Sequence, residues 1–204
     1  MPGRNTRKTF IENHYYHLYN RGWNRSEIFV EDADYSYFES LLERHLSLAP
    51  VADARGRLYT HLRSEIDLVA YCLMPNHFHM LVFIRSEQAA TKLMTSLMTA
   101  YTMYFNRKYK RRGSLCENRF KAVPVITTEQ LMHVSRYIHL NKADYKTWVW
   151  SSYKDYLRDN ARNWVEPQTI LELFSARNKY VEFVDDYAEM QRLRDSIKRE
   201  LAHG

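Results

Sequence analysis

The chain has 204 residues, of which 45% are hydrophobic and 26% charged, with five Gly and five Pro. That is the length of one domain, or of a domain with a helical appendage, and the composition excludes collagen-like, coiled-coil and disordered architectures. Thirty Lys and Arg against 24 Asp and Glu leave a net charge of +6, alongside 16 Tyr, which attracts polyanions without choosing among them.

The basic start, Met1 to Lys8, leads into Phe10-Ile-Glu-Asn-His with neither a hydrophobic stretch nor a cleavage pattern. No apolar run later in the chain approaches the ~20 residues that cross a bilayer. A cytoplasmic protein with no membrane partner is expected. The strand formers of His14-Tyr-Tyr-His-Leu-Tyr19 predict a first strand over 13–20, ending at Asn20-Arg21-Gly22. Apolar Tyr35, Phe38, Leu41, Leu42 and Leu46 recur at helical spacing after Asp32 and predict a first helix. A polar stretch over 47–65 reads as a long loop. Ile66–Leu73 and His77–Ile84 then form a hairpin turned by Pro75 and Asn76. Residues 87–112 lack Gly and Pro, and Leu93, Leu97, Tyr101 and Phe105 predict a long second helix stopping near Gly113. A fourth strand over 119–126 carries Pro124, which suits a sheet edge. Thr127-Thr-Glu-Gln130 is a capping box ahead of a third helix with Leu131, Val134, Tyr137, Ile138 and Leu140. From Pro167 to Leu201 the chain reads as amphipathic helical pieces. The order β-α-β-β-α-β-α predicts an α+β, ferredoxin-like antiparallel sheet with helices on one face, over residues 1–156, and a helical extension over 157–204.

His77-Phe78-His79 lies inside an apolar strand. Side chains two apart leave a strand on the same face, so both imidazoles project together while Phe78 enters the other side. Such a pair is preorganised for one metal ion. On the third helix, Tyr137 and Asn141 are four apart and share a face, with His133 one turn earlier. An Asn141 amide oxygen beside two imidazoles gives a mixed nitrogen and oxygen set, which suits Mg²⁺ or Mn²⁺ better than a closed zinc site. The competing reading packs Tyr137, Ile138 and Leu140 on the sheet and leaves Asn141 as a helix cap. Between Tyr104 and Lys121, the cations Arg107, Lys108, Lys110, Arg111, Arg112, Arg119 and Lys121 alternate with Tyr109 and Phe120. Phosphates seek charge and unstacked bases seek aromatic faces, so this strip fits single-stranded nucleic acid, or else an ordinary solvated helix end. Arg21 and Arg25, after the first strand, extend the same expectation.

The run Ala70-Tyr-Cys-Leu-Met-Pro-Asn-His-Phe-His-Met-Leu-Val82, the Arg119-Phe-Lys segment, Tyr137-Ile-His-Leu-Asn141 and Trp150-Ser-Ser-Tyr153 follow one another as in the single-tyrosine HUH transposases. The chain resembles most nearly the REP-associated tyrosine transposases, from about His14 to Tyr156, and the segments Ile170–Phe174 and Tyr180–Val184 are also similar to that subgroup. The resemblance implies His77, His79 and Asn141 as ligands of a divalent metal and Tyr137 as the nucleophile. It implies a 5′-phosphotyrosine intermediate with a free 3′-hydroxyl, formed on single-stranded or hairpin DNA without a nucleotide cofactor. After Asn141 the family continues with Pro and a Val-Arg-Ala-Gly-like stretch, whereas this chain has Lys142-Ala-Asp-Tyr-Lys146.

A phosphodiester repels nucleophiles, and a free phenol titrates near about 10, so a metal-bound phosphate and a tyrosine helped to lose its proton would work together. Two other functions fit the same residues: a metal-dependent phosphodiesterase that activates water, and a non-catalytic module that binds single strands. Related transposases include dimers that exchange the tyrosine helix; a monomer is the expectation here.

Overall fold

The computed structural model describes residues 9–188; the N-terminal basic octet and 189–204, including the expected tail as far as Leu201, lie outside the described residues. Strand β1 (His14–Arg21), helix α1 (Asp32–Leu46), the hairpin β2 (Ile66–Met74) and β3 (His77–Ile84), helix α2 (Ala89–Lys108), strand β4 (Lys121–Val125) and helix α3 (Thr128–His139) follow in order. Short helices α4 (Tyr153–Leu157) and α5 (Gln168–Leu171) come next, and a helical run covers 177–188. The four strands form one antiparallel sheet in the order β2-β3-β1-β4, the ferredoxin-like α+β arrangement. Among the described residues no helix is long and apolar enough to cross a membrane.

Local chemistry sets the element ends. Asp34 accepts hydrogen bonds from the backbone N–H of Val30 and Glu31 at 2.9 and 3.2 Å and so closes the first turn of α1. Thr127 and Gln130 form the expected capping box at α3. Helix α2 stops at Lys108, five residues before Gly113, because Lys110 adopts a left-handed φ of 53°. The cations 110–112 therefore sit in the following turn rather than on the helix.

Helices α1 and α2 share one face of the sheet, as the ferredoxin-like expectation has it, and α3 covers the other face as well. Phe38, Leu41, Leu42, Leu97, Tyr101 and Phe105 of α1 and α2 pack with Leu18, Phe78 and Met80 on one face. Leu131 and Ile138 of α3 pack with Ala70, Cys72 and Leu81 on the other. The physical reason is in β2, where every residue from Ile66 to Leu73 is buried, so both faces need a cover. A bulge between Leu68 and Ala70 inserts Val69 and resets which β2 side chains face α3.

The outer edge of β2 is capped by the chain after α3. Leu73 N–H donates to the Trp150 carbonyl at 2.9 Å, and the Trp148 indole N–H donates to the Leu73 carbonyl at 3.0 Å. Ile170, Leu171, Tyr180 and Val184 pack into the cluster around Ile138. Buried His139 links these layers, its Nδ1 2.7 Å from the Tyr180 hydroxyl and its Nε2 2.9 Å from Ser152 Oγ. Fully burying residues such as Ile138 contributes roughly 1.5–3 kcal/mol each, so α3 is held firmly by one face. The other face, carrying Tyr137, is left open.

Candidate active site

Antiparallel pairing aligns the chemistry. The β1–β3 register sets Tyr19 opposite His79 and Arg21 opposite His77. Side chains of alternate residues on both strands therefore rise together toward α3, whose open face presents Tyr137. The ring of Tyr137 meets His79 edge-on with centroids 5.4 Å apart, and His17 likewise at 6.0 Å. Tyr137 is 52% exposed, and its hydroxyl makes no hydrogen bond among the described residues. A cavity of about 380 Å³ opens here, with His17, His77, His79, Tyr137, Arg21 and Lys121 in its wall.

The two expected histidines are each fixed by a partner on one nitrogen. His79 Nδ1 lies 2.8 Å from Nε2 of His17, and His77 Nδ1 lies 2.6 Å from Oδ1 of Asn76. The Asn76 amide is oriented by its own NH₂, which donates to the Arg25 carbonyl at 3.2 Å, so its oxygen faces His77. His77 Nδ1 is accordingly the protonated nitrogen, and a neutral ring then has a bare lone pair on Nε2. That Nε2 faces Oδ1 of Asn141 at 3.3 Å. The Asn141 NH₂ points instead to the Tyr137 carbonyl at 3.4 Å. In that tautomer two acceptors confront each other.

A cation would satisfy that arrangement. Ligands at right angles, each about 2.1 Å from a Mg²⁺ ion, are about 3 Å apart, within a few tenths of an ångström of the observed gap. His17 occupies Nδ1 of His79, which leaves Nε2 of that ring as its available donor. Among the described residues no three His, Cys, Asp or Glu side chains converge on a metal-sized gap, so the donor set here is two imidazoles and an amide. This set fits a hard or borderline divalent ion with open positions. Burial pushes His79 down to about 3 and His17 down to about 4, and burial with nearby Arg21 lowers His77 despite the opposing Asn141 contact. Neutral rings keep their lone pairs for a metal.

Of the remaining expected residues, Arg21 and Lys121 line the cavity and Arg25 sits in the turn after β1. Arg107, Lys108, Lys110, Arg111 and Arg112 lie at the end of α2, in the layer opposite α3. Lys108 is spoken for: its ammonium binds buried Asp34 at 2.5 Å and Glu31 at 2.6 Å. Arg111 covers the Phe105 ring at 5.6 Å, and Arg119 precedes β4. His17, Tyr19 and Glu117 also line the cavity and Asn76 holds His77, none of which the sequence singled out for the site. His17 and Tyr19 alternate on β1 as His77 and His79 do on β3, and that parity was the available signal. A larger cleft of about 490 Å³ near Arg63 and Arg85 has its charges paired, Arg85 to Asp67 at 2.5 Å and Arg63 to Glu166 at 2.8 Å.

Residues 59–141 match the family described as IS200-like transposases, a segment that holds His77, His79, Tyr137 and Asn141. The match covers less than half of the chain. Among solved structures, the REP-associated tyrosine transposase bound to a REP hairpin is similar over 80% of this chain and 92% of its own, with a TM-score of 0.55 and 13% identity. At that identity the likeness concerns the fold. A Deinococcus radiodurans R1 protein is 14% identical over 68% of this chain and 95% of its own, with a TM-score of 0.39. No curated protein matches the chain. The matched segment runs from the loop before β2 to Asn141, so the expected nucleophile and the expected ligands fall within it, while His17 and Tyr19 come from β1.

Proposed function

We propose that this chain cuts and rejoins single-stranded DNA, with Tyr137 as nucleophile and with His77, His79 and Asn141 holding Mg²⁺ or Mn²⁺. The observation that carries the reading is the open phenol of Tyr137 packed edge-on against His79, beside the confronted lone pairs of His77 and Asn141. When bound there, the ion would offset the negative charge of a phosphodiester. Arg21 and Lys121 hold neighbouring phosphates by charge. Tyr137 Oη bonds to phosphorus as the bond from phosphorus to the 3′-oxygen breaks. The phenol loses its proton, the departing oxygen gains one, and the strand is left with a free 3′-hydroxyl and a 5′-phosphate on the tyrosine. The reverse attack by a 3′-hydroxyl rejoins strands, so the bond energy is conserved and no nucleotide cofactor is required.

A hairpin with single-stranded flanks is the DNA we assign, in keeping with the REP hairpin on the structural neighbour. The anchoring of α3 to its own chain through Ile138 and the Ser152–His139–Tyr180 contacts supports a monomer in which each tyrosine serves its own site. The test is denaturing gel analysis of end-labelled hairpin DNA with Mg²⁺ or Mn²⁺. A denaturant-resistant adduct lost in Tyr137→Phe is expected. Cleavage that survives Tyr137→Phe would instead indicate activated water, and binding without cleavage would indicate a module without catalysis.

A further inference from the structure

Trp23 is 59% exposed, and it stands on a turn built at some conformational cost. The turn Trp23–Arg25 follows β1 directly, and Asn24 and Arg25 both adopt left-handed backbone, with φ of 49° and 60°. Consecutive non-glycine residues in that region are strained, and such strain persists only where surrounding bonds impose it. Here they are numerous. Gly22 N–H donates to the Asn76 carbonyl at 2.8 Å, Trp23 N–H to the Leu115 carbonyl at 3.0 Å, and Ser26 N–H to the Trp23 carbonyl at 2.9 Å. Gly22 permits the closure, since a Cβ there would lie 2.1 Å from the Ser26 carbonyl oxygen.

The same turn is joined to the candidate active site by a single side chain. Asn76 donates from its NH₂ to the Arg25 carbonyl and accepts on Oδ1 from His77. Arg21, whose Cα pairs with that of His77, borders the cavity on one side of the turn, and Arg25 lies on the other. Neither arginine forms an ion pair among the described residues, and both are exposed. An indole left mostly exposed on a backbone turn that is itself tied down, with an exposed arginine on either side, is poorly explained by packing.

We infer that Trp23 is a stacking platform for an unpaired base of the DNA strand entering the cavity, with Arg21 and Arg25 on the flanking phosphates. This rests on the DNA-processing reading above and adds the element that grips the strand. The backbone that carries the indole is already ordered, and every base has a face to stack, so the contact contributes affinity without demanding one sequence. Because Asn76 connects the turn to His77, a base seated on Trp23 also sets where the next phosphates meet Tyr137.

The test uses the full chain in EDTA, so that binding is read without cleavage, and labelled hairpins with homopolymeric single-stranded flanks of each base, followed by fluorescence anisotropy. Trp23→Ala is expected to weaken binding about tenfold and Trp23→Phe much less. Replacing flank nucleotides one at a time by abasic sites should weaken the wild type at one position and leave Trp23→Ala indifferent at that position. Equal affinity of Trp23→Ala and wild type overturns the inference, as does a loss that is the same with and without the base, or a wild type that binds none of the flanked hairpins better than the bare stem. Unchanged thermal melting of Trp23→Ala excludes a folding defect as the cause. Adduct formation in metal is scored separately: adducts without a Trp23 effect sink this inference alone, and a base-dependent Trp23 effect without adducts sinks the nucleophile alone.

Discussion

His77 Nε2 and Asn141 Oδ1 face each other at 3.3 Å, although each belongs to a group whose hydrogens are engaged elsewhere. The sheet supplies one acceptor and the end of α3 the other, so the contact that holds strand to helix is unsatisfied unless something positive lies between. Removing either acceptor removes the reason for a cation. His77→Ala and Asn141→Ala should each lower Mn²⁺ affinity by at least about tenfold in calorimetric titration, whereas Tyr137→Phe should leave it near wild type. Unaltered Mn²⁺ binding by both alanine variants would contradict the ligand assignment.

In the proposed site His17 would act one step back from the ion. Its Nε2 at 2.8 Å from His79 Nδ1 fixes that ring's orientation and leaves Nε2 of His79 for the metal. Partners of this kind typically govern affinity by about 10- to 100-fold. His17→Ala should therefore weaken Mn²⁺ binding within that range while the chain still melts cooperatively, and an unchanged titration would show that His79 needs no such support.

Lys108 and Lys121 differ in kind despite lying in one basic stretch. Lys108 is tied to Asp34, which is fully buried and also receives the hydroxyls of Tyr104 and Tyr109 at 3.1 and 2.7 Å. Lys108→Met should cost about 2 kcal/mol of stability and leave DNA affinity alone. Lys121→Ala should do the reverse, lowering affinity and reducing the slope of log affinity against log salt by about 0.7 for the lost phosphate contact. Paired denaturation and salt titrations on both variants check this; a salt slope altered by Lys108→Met and not by Lys121→Ala would contradict it.

Acid should weaken the fold through His45. This ring is buried between the Thr60 carbonyl, 2.6 Å from Nδ1, and Ser96 Oγ, 3.1 Å from Nε2, and burial lowers it below the ordinary histidine value. The folded chain keeps His45 neutral where the unfolded chain already takes a proton. Its contribution is then fully present above about pH 6.5 and is lost progressively as pH falls from there toward the lower folded value. Denaturant midpoints between neutral and acidic pH should fall, and His45→Gln should flatten the part of that slope due to this site. A slope identical in the variant would assign the acid sensitivity to other groups.

What the chain discloses before folding follows its short-range periods. His77 and His79 are readable as a pair because a strand repeats every two residues, and Tyr137 with Asn141 because a helix repeats every 3.6. His17 belongs to the same cluster only by virtue of the β1–β3 register, which joins residues 62 positions apart. Lys108 looks like a surface cation until Asp34, 74 positions away, is brought beneath it. The second helical layer was foreshadowed by the apolar run Leu68–Leu73 of β2, which lacks the polar alternation of a sheet with one wet face. The early end of α2 depends on the left-handed turn at Lys110, which residue type alone does not dictate.

The central claim is that the phosphorus of DNA becomes bonded to residue 137. Trypsin cuts after Arg136 and after Lys142, so the peptide Tyr137-Ile-His-Leu-Asn-Lys142 carries a single tyrosine. Mass spectrometry of the nuclease-trimmed, trypsin-digested product of a Mn²⁺ reaction with flanked hairpin DNA should show that peptide enlarged by a 5′-phosphodeoxynucleoside on Tyr137. Cleaved DNA with that peptide unmodified, or with the nucleotide on any other tyrosine, would contradict the account.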